Sequence, residues 1–207
     1  MKTKDRILQC SLALFNESGE PNVTTLHIAT ELDISPGNLY YHFKGKDSII
    51  SELFSRFEQE LSELQLSEAP DGSALLNMWT YLQLSVETMA HYLFLFRDVA
   101  DLLTRYPALQ RRFNVMLGRQ RLSLAILCAA LAEESELLAT GEEVDALIDH
   151  MSMTMVFWLN YQRIRSAKMD QFQPDLADCA YRVVRMLAPY LDAESKEDLN
   201  LLAQGYL

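Results

Sequence analysis

The chain has 207 residues, 49% of them hydrophobic, and carries 18 Lys/Arg against 29 Asp/Glu for a net charge of −11. That is enough apolar material for a real core in one or two domains, and it excludes a protein that holds nucleic acid or membrane through bulk positive charge. Three cysteines, Cys10, Cys128 and Cys179, lie far apart with no Cys-x-x-Cys, which excludes a disulfide framework and points to free thiols in a reducing cytoplasm.

In chain order, the start MKTKDRILQC has basic residues but no continuous apolar core or cleavage site, so no secretory signal is read there. The first helix is expected over about 3–17. Residues 24–46, TTLHIATELDISPGNLYYHFKGK, then read as two short helices joined by a tight turn. Thr24 or Thr25 caps the first of them, and Leu26, Ile28, Ala29 and Leu32 give it an apolar face. Asp33 occupies the turn and tolerates left-handed dihedrals better than most residues. Ser35 suits the N-cap of the second helix and Pro36 its first position, where no N–H is needed. Ile34 and Leu39 have the spacing of a hydrophobic staple, and Gly45 can end the helix in a left-handed conformation. Leu39 and Phe43, four apart, pack inward, leaving Gly37, Asn38, Tyr40, Tyr41 and His42 on outward faces. In a helix-turn-helix the start of the second helix enters the major groove and reads base edges.

Ile7-Leu8, Ala13-Leu14-Phe15, Gly19, Thr24-Thr25, Ile28-Ala29 and Ser35-Pro36-Gly37-Asn38-Leu39-Tyr40-Tyr41-His42-Phe43, followed by Lys44 and Lys46, resemble the pattern of the TetR/AcrR family of bacterial one-component regulators. The match covers about the first 50 residues. It departs mildly at Cys10-Ser11, where small Ala residues are usual, and at Asp33, where the turn Gly stands in the family.

Charge is distributed accordingly. Residues 1–57 hold six Lys/Arg and seven Asp/Glu, so that segment is at −1 and the rest at −10. Cations facing DNA need only be local, and Lys2, Lys4, Arg6, Lys44 and Lys46 are placed for that, while the acidic body is repelled and helps to orient the molecule.

The remaining elements read as helices over about 46–65, 75–92, 94–104, 107–135, 142–166, 174–190 and 194–204, with no strand and no internal repeat. SEAPDGS (67–73) is the clearest breaker, and EESELLATGEE marks a later loop. No apolar run reaches the roughly 18 residues of a membrane span. The fold expected is all-α, with a three-helix helix-turn-helix domain over 1–48 and a larger helical domain over 49–207, which the resemblance implies is a ligand-binding and dimerisation domain. The helix over 142–166 is apolar all round. Val144, Leu147, Ile148, Met151, Met155, Trp158 and Leu159 form one stripe, and Met153, Val156, Phe157 and Tyr161 fill the other side. Such a helix is either central to a monomer core or has one side against the protomer core and the other against a second subunit; the second reading is adopted, with the helix over 174–190 beside it. These are helices 8 and 9 of this reading.

His27, His42, His91 and His150 show no metal-ligand spacing, and there is no P-loop, Gly-x-Gly-x-x-Gly or nucleophile elbow. Neither an enzyme, a metal site nor a cofactor is expected. The resemblance implies a cytoplasmic homodimer, a double-stranded DNA operator of palindromic form, and a repressor released by an unknown small-molecule effector. It also implies phosphate contacts from Tyr41, His42 and Lys46, with Thr24 or Thr25 adding a hydroxyl; Pro36, Gly37, Asn38 and Tyr40 complete the DNA-binding set. A pocket between helices is implied as well, for which Trp79, Gln83, Tyr92, Phe96, Arg97, Phe113, Met116 and Trp158 are candidate walls, although Arg97 has Asp101 four residues on as a partner. The alternative is a regulator with no small-molecule inducer, whose second domain serves dimerisation or protein contacts.

Overall fold

The computed structural model describes residues 2–66, 72–134, 136–166 and 174–204. Eleven α-helices are found among them, and no strand beyond an isolated bridge between Leu137 and Leu191. The N-terminal part is built from α1 (Thr3–Ser18), a 3-10 turn over Glu20–Asn22, α2 (Thr25–Glu31) and α3 (Pro36–His42). The face of α1 bearing Ile7, Leu8, Leu12 and Phe15 is buried, and the helix stops at Gly19, whose φ of 82° no L-residue adopts cheaply. Thr24 accepts from the His27 amide at 3.1 Å to cap α2, and Ser35 accepts from the Asn38 amide at 3.1 Å to cap α3. Each cap satisfies one of the orphan donors at a helix start. Asp33 turns the chain with φ 53°, as its residue type permits.

Two local expectations are corrected. Leu26 is 61% exposed, because it lies off the face that Ile28 and Ala29 bury. Gly45 is not in the left-handed region; α3 ends instead at an extended Phe43 (φ −135°, ψ 121°), whose ring the core takes.

The body begins with α4 (Lys46–Leu66), so a division at 48/49 falls inside a continuous helix. Ile49, Ile50, Leu53, Phe54 and Phe57 on α4 belong to one core that runs from Ile7 to Leu199. Then follow α5 (Ala74–His91), α6 (Phe94–Arg97), α7 (Val99–Arg105), α8 (Pro107–Glu133), α9 (Gly141–Arg165), α10 (Leu176–Arg185), a 3-10 turn over Ala188–Tyr190 and α11 (Ala193–Gln204). Residues 67–71 of the expected breaker lie outside the described residues.

The single helix expected over 94–104 is broken at Asp98 (φ −142°, ψ 54°), and the Phe96 carbonyl accepts from Asn160 of α9 at 2.8 Å instead of continuing the helix. The helix expected over 174–190 stops at Arg185, and the chain re-forms as a 3-10 turn that includes Pro189, which has no N–H to offer an α-helix. α8 has the expected extent, but against the expectation of no span it is long and apolar enough by length and composition alone to cross a membrane; Leu109, Phe113, Met116, Leu124, Cys128 and Leu131 instead bury one face of it in the core.

Candidate DNA-reading surface and effector domain

The tip of α3 is a rigid, polar presentation. Leu39 and Phe43 are buried beneath it, while Pro36, Gly37, Asn38, Tyr40 and Tyr41 are exposed and His42 is half-buried. The Tyr41 and His42 rings meet edge to face at 5.1 Å, and the Lys44 ammonium lies over the Tyr40 ring at 4.6 Å. Thr24 is exposed at the start of α2 and Thr25 is half-buried beside it. α2 and α3 pack against each other, and these residues together offer donors of the kind that suit a phosphate-lined groove.

Lys46 is placed differently from the others. Its ammonium donates to the backbone carbonyls of Glu20 at 2.9 Å and Val23 at 3.0 Å, and pairs with the Glu20 carboxylate at 2.7 Å. All three interactions point into the protein, unlike the outward Lys44 ammonium.

Glu20 was not singled out by the sequence. Its carboxylate is 2% exposed, paired with Lys46 and with Arg105 from the end of α7, and it accepts from the Tyr106 hydroxyl at 2.6 Å. Burial alone pushes the Glu20 carboxyl up, but the hydrogen bonds from Lys46 and Tyr106 and the charges of Lys46 and Arg105 outweigh it and hold the group below the ordinary carboxylate range. Burial, with the adjacent carboxylate, holds the Tyr106 phenol protonated well above its ordinary range.

A second seam joins α8 to α4. Arg112 donates from Nε to Glu58 at 3.1 Å, from Nη1 to the Ser51 carbonyl at 3.2 Å and hydroxyl at 3.1 Å, and from Nη2 to Ser55 at 2.8 Å and again to Glu58. Its guanidinium lies 4.8 Å from the centre of the Phe54 ring. A planar fork with five donors suits such a grip, and Lys would not reproduce it.

The eight candidate pocket walls do not converge on one cavity. Tyr92, Phe96 and Phe113 pack with Phe54 and Phe57 of α4 at centroid distances of 5.5–6.0 Å, and the Tyr92 hydroxyl donates to Glu60 at 2.6 Å. Trp79 is buried too. Gln83 instead donates to Glu87 on the outside of α5. Arg97 does not pair with Asp101; it donates to the Glu17 and Asn16 carbonyls at the end of α1, and Asp101 pairs with Arg105. Met116 lines a cavity of about 20 Å³ with Glu58, Leu61, Ser62, Tyr81, Arg119 and Gln120, room for a single water. Gln120 is buried there, and while its amide nitrogen contacts the Met155 sulfur at 3.4 Å, its carbonyl oxygen has no partner. Trp158 lies elsewhere, in an open groove of about 720 Å³ between α9 and α10 with Met153, Phe157, Tyr161, Tyr181 and Arg182.

That groove adjoins an exposed apolar stripe on α9 formed by Met153, Phe157, Tyr161 and Ile164, whereas Met155 and Val156 are buried. The same helix starts acidic, with Glu142, Glu143 and Asp145, and ends basic, with Arg163 and Arg165. Among the described residues no group of three His, Cys, Asp or Glu side chains is arranged to hold a metal.

Comparison with known proteins adds an independent line. Residues 7–53 match the family described as bacterial regulatory proteins of the tetR family, and residues 56–199 match one described as a bacterial transcriptional repressor. The chain is 28% identical over 91 residues to the probable HTH-type transcriptional regulator YttP of Bacillus subtilis, covering 44% of each protein. It is 30% identical over 96 residues to the HTH-type transcriptional regulator QacR of Staphylococcus aureus, covering 44% of this chain and 50% of that one. The chain thus spans half or less of the length of these curated relatives. A solved TetR-family transcriptional regulator from Marinobacter aquaeolei superposes with a TM-score of 0.87 at 30% identity, over 100% of this chain and 99% of that one.

Proposed function

The chain belongs to the TetR family of DNA-binding bacterial transcriptional regulators, and from that premise we propose that it is a cytoplasmic homodimeric repressor that binds a palindromic operator and is released by a small molecule. The observation that carries this reading is the capped α3, whose buried Leu39 and Phe43 hold a polar tip rigidly outward. Gly37 allows close backbone approach and Asn38 both donates and accepts, which suits base edges. Pro36 and Tyr40 flank them, while Thr24, Thr25, Tyr41 and His42 take phosphates. Lys44 supplies the nearby cation in place of the inward-turned Lys46.

Dimerisation through α9 and α10 is supported by the exposed stripe on α9 and by its charge gradient. Two copies of α9 crossing about a two-fold axis set the acidic start of each toward the basic end of the other. The two copies of α3 then lie roughly 34–36 Å apart, one DNA turn.

Effector release works through α4, which carries the reading head and is gripped between Ser51 and Glu58 by Arg112. A ligand entering beside Met116 and Gln120 has to widen a cavity of about 20 Å³, and widening it displaces α4 from α8. Such a ligand acts only through its differential affinity for the two arrangements. The dense packing of Phe54, Phe57, Tyr92, Phe96 and Phe113 favours a second reading, a regulator without a small-molecule inducer. Selecting bound sequences from random duplex DNA tests the main proposal: a palindrome with half-sites one turn apart is expected, and recovery of unrelated or asymmetric sequences refutes it. Met116→Trp, which fills the cavity, separates the two readings. Under ligand control a reporter behind the selected operator becomes non-inducible; without an inducer its regulation is unchanged.

A further inference from the structure

Glu20 stands where the reading head meets the body. It belongs to the 3-10 turn that leads into α2, and each of its carboxylate partners comes from another element. Lys46 opens α4, Arg105 closes α7, and Tyr106 is the residue from which α8 starts. A buried carboxylate is costly unless it is paired and hydrogen-bonded, and here both oxygens are engaged: one takes Lys46 and Tyr106, the other Arg105. Lys46 passes the connection on to the carbonyls of Glu20 and Val23, so the turn and the start of α4 are bound as one piece. The body side of the junction is continuous with α8, which carries Arg112 and the cavity residues Met116 and Gln120. A shift of α8 therefore reaches the head by a second path, separate from the length of α4.

We propose that Glu20 is a positioning residue for operator binding, which locks the turn ahead of α2 to the junction of α7 and α8 and so fixes the angle at which α3 is presented. A residue serving stability alone would lower the melting temperature and leave the head where it was. Arg97 and Asn16 tie the end of α1 to α6 on a neighbouring patch, Arg97 through the Glu17 carbonyl and Asn16 through the His91 carbonyl and the Phe94 amide. With Glu20 removed the head is still attached there, free to pivot and not to detach.

The test is a distance within one protomer. Exposed Gln9 on α1 and exposed Glu87 on α5 are replaced by Cys in a Cys10→Ala background, spin-labelled, and diluted into unlabelled protein so that only intraprotomer pairs are read. One narrow distance is expected in the parent. Glu20→Gln should broaden or shift it, and so should Arg105→Gln combined with Tyr106→Phe, which leaves the Glu20–Lys46 pair intact. Both variants should lose about tenfold or more in affinity for the selected operator, while affinity for random duplex, set by phosphate contacts that neither variant touches, stays within about twofold. An unchanged narrow distance in both variants overturns the proposal, as does an equal loss on operator and random DNA. If Glu20→Gln does not fold, as circular dichroism would reveal, the double variant decides alone. The proposal extends the repressor reading, but the distance measurement needs neither operator nor dimer, so its failure is distinguishable from failure of that reading.

Discussion

Phe157→Glu should split the dimer without unfolding the protomer. Phe157 is 50% exposed, in the stripe that also holds Met153 and Tyr161, whereas Met155, two residues earlier, is 1% exposed and touches the Gln120 amide. Full burial of a Phe side chain contributes roughly 1.5–3 kcal/mol, so covering the half left open in the protomer contributes about 1 kcal/mol per copy. The larger effect is electrostatic: an uncompensated buried charge costs roughly 3–5 kcal/mol. An isologous interface contains every substitution twice. Even the lower figure, doubled, weakens association on the order of 10⁴-fold. Sedimentation velocity at micromolar concentration should show wild type as a dimer and Phe157→Glu as a monomer with the same helical circular dichroism. Met155→Glu places its charge inside the protomer and should lose helicity instead. A Phe157→Glu protein that sediments like wild type, or a wild type that is itself monomeric, refutes the assignment of this face.

Asn38→Ala should relax or change operator preference more than it weakens non-specific binding; equal loss on operator and random duplex would remove Asn38 from base reading. Lys44→Ala should reduce the slope of log affinity against log salt by roughly one unit, with Lys46→Ala leaving the slope in place because its charge is spent on Glu20; a drop in slope for Lys46→Ala alone would reverse that division. Folding lowers the Glu20 pKa below its ordinary value of 4.5, so the unfolded chain takes up the proton more readily. The stability Glu20 contributes is therefore present above 4.5 and lost as pH falls through the folded value. The gap in urea midpoint between wild type and Glu20→Gln should shrink as pH drops from about 6 toward 3, and a gap that widens contradicts the linkage. Burial raises the Cys128 and Cys179 thiols to about 11 and about 12, and burial followed by Glu31 raises Cys10. Native protein at pH 8 should react slowly with a thiol reagent and the denatured chain should give three equivalents; fast native reaction would contradict that packing.

The reading surface was legible because its signals are adjacent in the chain. A cap, a Pro at the first helical position and an inward pair four apart all act within one short helix, and Ser35, Pro36, Leu39 and Phe43 sit where those rules put them. Local rules failed where the chain between two residues was not what they assume. Arg97 and Asp101 are four apart, but the break at Asp98 removes the helical geometry that would pair them, while Asp101 and Arg105 lie on an unbroken turn and do pair. The Glu20 hub was invisible because its partners are 26, 85 and 86 residues away, and nothing in GEPNV marks a carboxylate for burial. The two-sided apolarity of α9 did not tell which side stays open in the protomer, a choice that depends on how α8 and α10 pack.

The unbroken course of α4 from Lys46 to Leu66 makes this chain hard to treat as two interchangeable modules. Each residue added to or removed from a helix turns everything beyond it by about 100° and moves it by about 1.5 Å. A single insertion near the middle of α4 would swing the reading head about a quarter turn away from its seat on the body, although every residue of both parts remained intact. Chimeras that exchange reading heads between relatives must therefore be joined in helical phase, and natural drift in the length of this segment should be confined to steps close to whole turns.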